Sequence, residues 1–231
     1  MKLPSLVPGT LLRRYKRFLA DVKLDSGPVV TAHCPNTGSM LGCSEPDRRV
    51  YLSRHDAPTR KYPYTWQLIR MPGTLVGVNT MLTNHLVREA IDAARICGLD
   101  GFQFRRAEPR VAAGARLDLL LSHPKQNDLY LEIKNCSLVR EGTAAFPDAV
   151  TSRGQKHLAQ LMTLRKQGFG AAILFLVQRE DATDFLPARD IDPLYASLLQ
   201  EAARQGVMVL AHSCRVTTRE IRVDAALPVD L

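Results

Sequence analysis

From Phe18 onward the chain alternates. Phe18, Ala20, Val22 and Leu24 fall on one side and Leu19, Asp21 and Lys23 on the other, the period-two pattern of a half-buried strand. Asp25-Ser26-Gly27-Pro28 turns the chain. Four more short strands are predicted at Val29 to His33, Arg49 to Ser53, Thr65 to Arg70 and Thr74 to Val78, separated by Asn36-Thr37-Gly38, Glu45-Pro46-Asp47 and Met71-Pro72-Gly73. Five strands in about 80 residues suit a small OB-like barrel, an architecture that binds oligonucleotides. The pattern changes at Asn79-Thr80, a helix-capping pair followed by Leu82, Leu86, Ala90, Ala93 and Cys97 at helical spacing, with Gly98 as the stop. Beyond it, strands are predicted near Phe102 to Arg105, Arg116 to Ser122, Leu129 to Cys136 and Phe169 to Val177, with a helix from Thr151 to Gln167. A second helix from Pro193 to Gln205 and strands at Val207 to Ala211 and Glu220 to Val223 complete the chain. The fold class expected is α/β with an all-β N-terminal domain: a barrel over residues 1–80, then an α/β domain over residues 81–231.

Composition adds compartment and partner. The 231 residues are 45% hydrophobic, enough for a core, yet no apolar run approaches the roughly 18 residues a membrane-spanning helix needs. The N-terminal Leu3 to Leu12 precedes Arg13, Arg14, Lys16 and Arg17, the reverse of a secretory signal, so a cytoplasmic protein is expected. Five scattered cysteines without C-x-x-C or Cys/His spacing predict reduced, mostly buried thiols, with neither structural disulfide nor structural zinc. The net charge of +8 is concentrated. Residues 1–80 carry twelve Lys/Arg against five Asp/Glu, whereas the remainder carries nineteen against eighteen.

A basic barrel points to a polyanion such as DNA, although a merely solvated basic face fits the charge equally well. Rings interleave with cations in Arg14-Tyr15-Lys16-Arg17-Phe18 and Arg60-Lys61-Tyr62-Pro63-Tyr64-Thr65-Trp66, a mixture that tracks a phosphate backbone and stacks on bases. Phe18 and Trp66 are expected in the core, Tyr62 and Tyr64 exposed. The nucleic-acid contacts expected here are Arg13, Arg14, Lys16, Arg17, Lys61, Tyr62 and Tyr64. Asn36-Thr37-Gly38-Ser39 fits a phosphate-gripping loop and a plain hairpin turn equally.

The chemistry centres on two strands. Arg116-Leu117-Asp118-Leu119-Leu120-Leu121 sets an acid inside a run that otherwise reads as buried, and a buried carboxylate requires a partner or a metal. Thirteen residues later, Leu131-Glu132-Ile133-Lys134-Asn135 puts Glu132 and Lys134 on one face of a strand. Two carboxylates and an ammonium at one sheet edge suit Mg²⁺ or Mn²⁺, with the lysine orienting water or stabilising charge on phosphorus. Arg153 and Lys156, opening the next helix, are expected to contact phosphate. His85 and His157 are read as structural, and Pro147-Asp148 as a turn bordering the site.

At this point the sequence resembles the PD-(D/E)XK nuclease superfamily, whose core runs helix, three strands, helix, strand and bears Asp, then Glu/Asp-x-Lys. The resemblance implies a supporting Glu on the first helix, supplied by Glu89, and a Gln after the Glu-x-Lys strand, supplied by Gln155. The superfamily's Pro before the Asp is replaced by Leu117. Cys34-Pro35-Asn36-Thr37-Gly38-Ser39-Met40, Arg60-Lys61-Tyr62-Pro63-Tyr64-Thr65-Trp66, Gly77-Val78-Asn79-Thr80, Phe146-Pro147-Asp148-Ala149-Val150-Thr151 and Arg153-Gly154-Gln155-Lys156-His157 are similar to the sugar fermentation stimulation protein (SfsA) family over essentially the whole chain. That resemblance implies an OB-like domain followed by a nuclease-like domain, DNA binding and a regulatory link to sugar (maltose) metabolism. Two functions follow as expectations. One is Mg²⁺/Mn²⁺-dependent hydrolysis of DNA, with Glu89, Asp118 and Glu132 holding the ion and Lys134 and Gln155 acting on water or phosphate. The other is a non-enzymatic, largely sequence-nonspecific DNA-binding regulator.

Overall fold

The computed structural model describes residues 1–56, 60–111 and 116–231. The first strand, β1 (Leu6–Tyr15), carries no clear alternation and was not expected from the pattern. It is nonetheless central, pairing with both β2 (Leu19–Leu24) and β4 (Arg49–Arg54). Pro8 is tolerated because it pairs only with β4, the β2 register beginning at Gly9. Gly9 is required there, since a Cβ would lie 2.7 Å from the Lys23 carbonyl oxygen and the Val22 side chain. β3 (Val29–His33) follows β2, and a short parallel pairing of Ala32 with Tyr64 and His33 with Thr65 joins it to β5 (Tyr64–Met71), closing a five-stranded barrel.

The hairpin strand β6 (Thr74–Gly77), counted in the sequence reading as the fifth barrel strand, instead extends β5 outward. Trp66 fills the barrel, its indole N–H donating to the Leu68 carbonyl at 2.9 Å. Phe18, expected in the core, is 43% exposed. It follows a turn in which Lys16 and Arg17 adopt left-handed φ of 49° and 64°, and the inward row of the strand begins at Ala20, followed by Val22 and Leu24.

A single 3-10 turn (Thr80–Leu82), capped by the Asn79 side chain, leads into α1 (Thr83–Asp92). The helix ends six residues before the expected stop at Gly98 because Ala94 turns left-handed at φ 52°, which lets Ile96 and Leu99 fold back under the helix's own apolar face. β7 (Gln103–Ala107), β8 (Leu119–His123) and β9 (Gln126–Cys136) form an antiparallel meander. The short β10 (Leu138–Arg140) and β11 (Thr143–Phe146) begin a separate small sheet. Then come α2 (Ser152–Lys166), β12 (Gly170–Val177), β13 (Asp184–Pro187), α3 (Pro193–Arg204), β14 (Met208–Val216) and β15 (Ile221–Ala226). The main sheet runs β15-β14-β12-β9-β8-β7, with β9, β12 and β14 parallel, and β13 completes the small sheet beside β11.

Strand alternation divides the core into two layers. Ala172, Leu174 and Leu176 of β12 pack in the layer of α1, whereas Ile173, Phe175 and Val177 pack in the layer of α2 and α3. Leu129, Leu131 and Ile133 of β9 belong to the α1 layer, so Glu132 and Lys134 face α2. Leu68 and Leu75 of the barrel also lie in the α1 layer, and the Gly77 N–H donates to the Gln178 carbonyl at 2.8 Å, locking barrel to sheet.

Candidate functional site

The β8–β9 pairing sets Leu119 opposite Leu131, which brings the residues just outside that pair, Asp118 and Glu132, to the same end of the sheet. Asp118 is held by two donors. The Ile133 N–H donates to its Oδ2 at 2.7 Å and the Asn84 Nδ2 of α1 to its Oδ1 at 2.9 Å. Lys134 Nζ donates to Glu132 Oε1 at 2.5 Å, His157 Nδ1 of α2 contacts the same oxygen, and Glu132 Oε2 is buried with no partner. These groups line an open cavity of about 370 Å³ whose walls include Arg153 and the Arg116–Glu108 ion pair. Burial, then the Glu132 charge, raises the Asp118 pKa. Burial also acts to raise that of Glu132, but the His157 hydrogen bond and the Lys134 charge outweigh it and hold its carboxyl below the usual range.

Asp118, Glu132, Lys134 and Arg153 are therefore gathered, and three other expected residues are not. Glu89 lies on α1 five residues beyond Asn84, about 140° round the helix. Its half-exposed carboxylate accepts from the Met1 ammonium at 2.8 Å, in a surface depression shared with His85 and remote from the acidic cavity. The third expected carboxylate therefore stands apart from Asp118 and Glu132, and no cluster of three or more His, Cys, Asp or Glu positioned to hold a metal occurs among the described residues. Gln155 stands two residues before His157, about 200° away on α2. It donates to both oxygens of Asp192 at 3.1 Å instead of facing the cavity. Asp192 also accepts from the Thr151 and Tyr195 N–H groups, so this carboxylate ties the starts of α2 and α3 together. Lys156 is exposed on α2 outside the cavity lining.

Sequence reasoning missed Asn84 and set His157 aside as structural. The signal available for His157 was its place four residues after Arg153, on one face of the helix that follows the Glu-x-Lys strand. Nothing in the sequence marked Asn84.

Among the barrel cations, several are already engaged. The Arg14 guanidinium donates to the carbonyls of Arg17 (2.8 Å), Asn36 (3.0 Å), Gly38 (2.7 Å) and Ser39 (3.2 Å), and Arg17 Nε to that of Thr37 (2.9 Å). Arg13 pairs with Asp21 at 2.8 Å. The loop from Asn36 to Met40 is a braced turn, not a phosphate grip, because the Gly38 N–H donates to Asn36 Oδ1 and the Met40 N–H to Asp148 Oδ2, each at 2.9 Å. Asp148 therefore braces the barrel instead of bordering the acidic cavity. Lys16 and Lys61 are exposed, the latter with its ammonium 5.6 Å from the Tyr62 ring centroid. Tyr62 and Tyr64, expected to be exposed, are half-buried, and Tyr64 packs against the barrel core.

Fold and site together define the class, an OB-type barrel followed by an α/β domain whose central sheet gathers two carboxylates and a lysine at one end. Residues 12–78 match the SfsA N-terminal OB domain and residues 81–220 the sugar fermentation stimulation protein RE domain. The chain belongs to the sugar fermentation stimulation protein (SfsA) family. It is 54% identical over 230 residues to the sugar fermentation stimulation protein homolog of Citrifermentans bemidjiense, covering 99% of each chain. The homolog of Geobacter sulfurreducens is 50% identical, covering 99% of this chain and 98% of that protein. Among solved structures, Pyrococcus furiosus SfsA in complex with Ca²⁺ superposes with a TM-score of 0.91 at 27% identity, covering 100% of this chain and 98% of that one. No helix among the described residues is long and apolar enough to cross a membrane.

Proposed function

We propose that this protein binds DNA and hydrolyses its phosphodiester bonds in the cavity of Asp118, Glu132 and Lys134, using Mg²⁺ or Mn²⁺. The observation that carries this reading is the convergence of two carboxylates and an ammonium, one carboxylate oxygen being buried without a partner. Such oxygens are hard donors suited to a hard divalent cation, with waters or phosphate completing the shell. The Ca²⁺ held by the Pyrococcus furiosus relative supports the choice of ion class. When bound, the ion supplies Lewis acidity and an activated water.

The remaining work falls to the chain. Asp118 and Glu132 would hold the ion, and Asn84 and the Ile133 amide fix the Asp118 carboxylate in place. Lys134 presents its ammonium to the attacked phosphate, where negative charge develops. Arg153 and Arg116 draw the DNA backbone to the cavity, while Lys16 and Lys61 extend this electrostatic contact over the barrel. DNA is the proposed partner and the cytoplasm the proposed location.

The test is cleavage of labelled single-stranded, duplex and branched DNA with Mg²⁺ or Mn²⁺, for the wild type, Asp118→Asn and Lys134→Ala. Metal-dependent cleavage abolished in Asp118→Asn and reduced about 10² to 10³-fold in Lys134→Ala is the expected result. Binding without cleavage of any substrate would leave the second function, a DNA-binding regulator of sugar metabolism, in its place.

A further inference from the structure

Two donors meet on one oxygen of Glu132. Lys134 Nζ and His157 Nδ1 both approach Oε1, and they stand 3.4 Å from each other. The tautomer of His157 follows from its other side, where Arg153 Nε lies 3.4 Å from Nε2. A guanidinium can only donate, so Nε2 accepts and the ring hydrogen sits on Nδ1, directed at Glu132. The ring is buried and rooted on α2, whereas Lys134 is a flexible side chain on the same strand as Glu132. A lysine that turns to a phosphate in the cavity loosens its bond to the carboxylate. A buried carboxylate deprived of its partner is strongly destabilised unless another donor remains.

We propose that His157 is the positioning residue that holds Glu132 in its ligating orientation, by a hydrogen bond to Oε1, when Lys134 leaves that oxygen for phosphate. The inference rests on reading Glu132 as a metal ligand. It divides two roles between neighbours that share one oxygen: His157 fixes the carboxylate and Lys134 serves the phosphate. It also leaves Oε2, buried without a protein donor, as the oxygen that would be free to ligate.

The experiment is calorimetric titration with Ca²⁺ alone, run beside Mn²⁺-dependent single-turnover cleavage and thermal unfolding. The proteins compared are the wild type, His157→Ala, His157→Asn, His157→Phe and Lys134→Ala. Asn retains a donor near the place of Nδ1, and Phe retains the ring volume without it. His157→Ala and His157→Phe are expected to bind Ca²⁺ about 10 to 100-fold more weakly. His157→Asn should return to within about threefold of wild type, and Lys134→Ala, which removes a cation from the site, should bind at least as well as wild type.

Wild-type affinity in His157→Ala overturns the proposal, as does rescue by Phe as complete as that by Asn, which would mark a packing role. Loss of Ca²⁺ binding in Lys134→Ala overturns it too. A wild type that binds Ca²⁺ with this pattern yet cuts no DNA removes the nuclease activity and leaves His157 holding Glu132. A wild type that binds no Ca²⁺ removes both.

Discussion

The backbone N–H of Met40, in the barrel, donates to Oδ2 of Asp148, in the connection before α2, at 2.9 Å across 108 residues of sequence. Ser39 Oγ adds a bond of 2.7 Å to the carbonyl of the same aspartate. Arg14 holds the far side of that loop, so barrel, loop and α/β domain are fixed as one assembly.

Replacing Asp148 with Ala should remove the charge-assisted bond and lower global stability by about 1–3 kcal/mol. Asp148→Asn, which keeps an acceptor, should recover most of that. Urea unfolding monitored at Trp66 measures both.

Arg14 and Lys16 are two residues apart yet should behave oppositely. Arg14→Ala orphans several carbonyls and should cost about 2–3 kcal/mol of stability. Lys16→Ala should leave stability within about 0.5 kcal/mol and flatten the slope of log K for DNA against log salt by about one. Thermal unfolding and fluorescence anisotropy over a salt series separate the two effects.

Asp21 accepts from Arg13, Thr31 and Tyr15. Burial acts to raise its pKa, but these bonds outweigh burial and hold it below the ordinary 3.8. A carboxylate depressed in the folded state stabilises the fold above its unfolded pKa and loses that contribution as pH falls through the lower folded value. Asp21→Asn should therefore lower stability by about 0.5 kcal/mol near neutrality and converge with wild type as the pH falls through the lowered folded value. Chemical denaturation between pH 2 and 7 provides the comparison.

Four of the five thiols are buried, and burial pushes Cys43 up to about 11 and Cys136 up to about 12. Thiolate is the reactive form, so native protein at pH 8 should react with a disulfide reagent once per chain, at the exposed Cys97. Cys97→Ser should abolish the fast phase, and denaturant should restore the buried four.

The layout of both domains was legible where strands alternate and helices carry a full apolar stripe, as at Leu19–Leu24 and Ser152–Lys166. β1 was hidden because Pro8 and Gly9 interrupt it and its side chains do not alternate between buried and exposed. The three strands of the small sheet are too short to show a period. Glu132 and Lys134 could be placed together because period two is a local rule. Glu89, Gln155 and His157 depend on how far a helix has rotated when it meets the sheet, and that is fixed by packing across distant segments. Charge pairing has the same origin: nothing in the sequence indicates that Arg14 closes on carbonyls while Lys16 faces water.

Leu68 and Leu75 reach out of the barrel into the apolar layer beneath α1, next to Leu86 and Leu121. The hairpin bearing them belongs to both domains, with Ile69, Met71 and Val76 in the barrel core and Leu68 and Leu75 in the α1 layer. Exchange of barrels between relatives should therefore preserve stability only when β5, β6 and α1 travel together, because a foreign hairpin would bring side chains shaped for another helix. The heritable unit of this architecture is the seam, and the two folds on either side of it are free to diverge only as far as that seam permits.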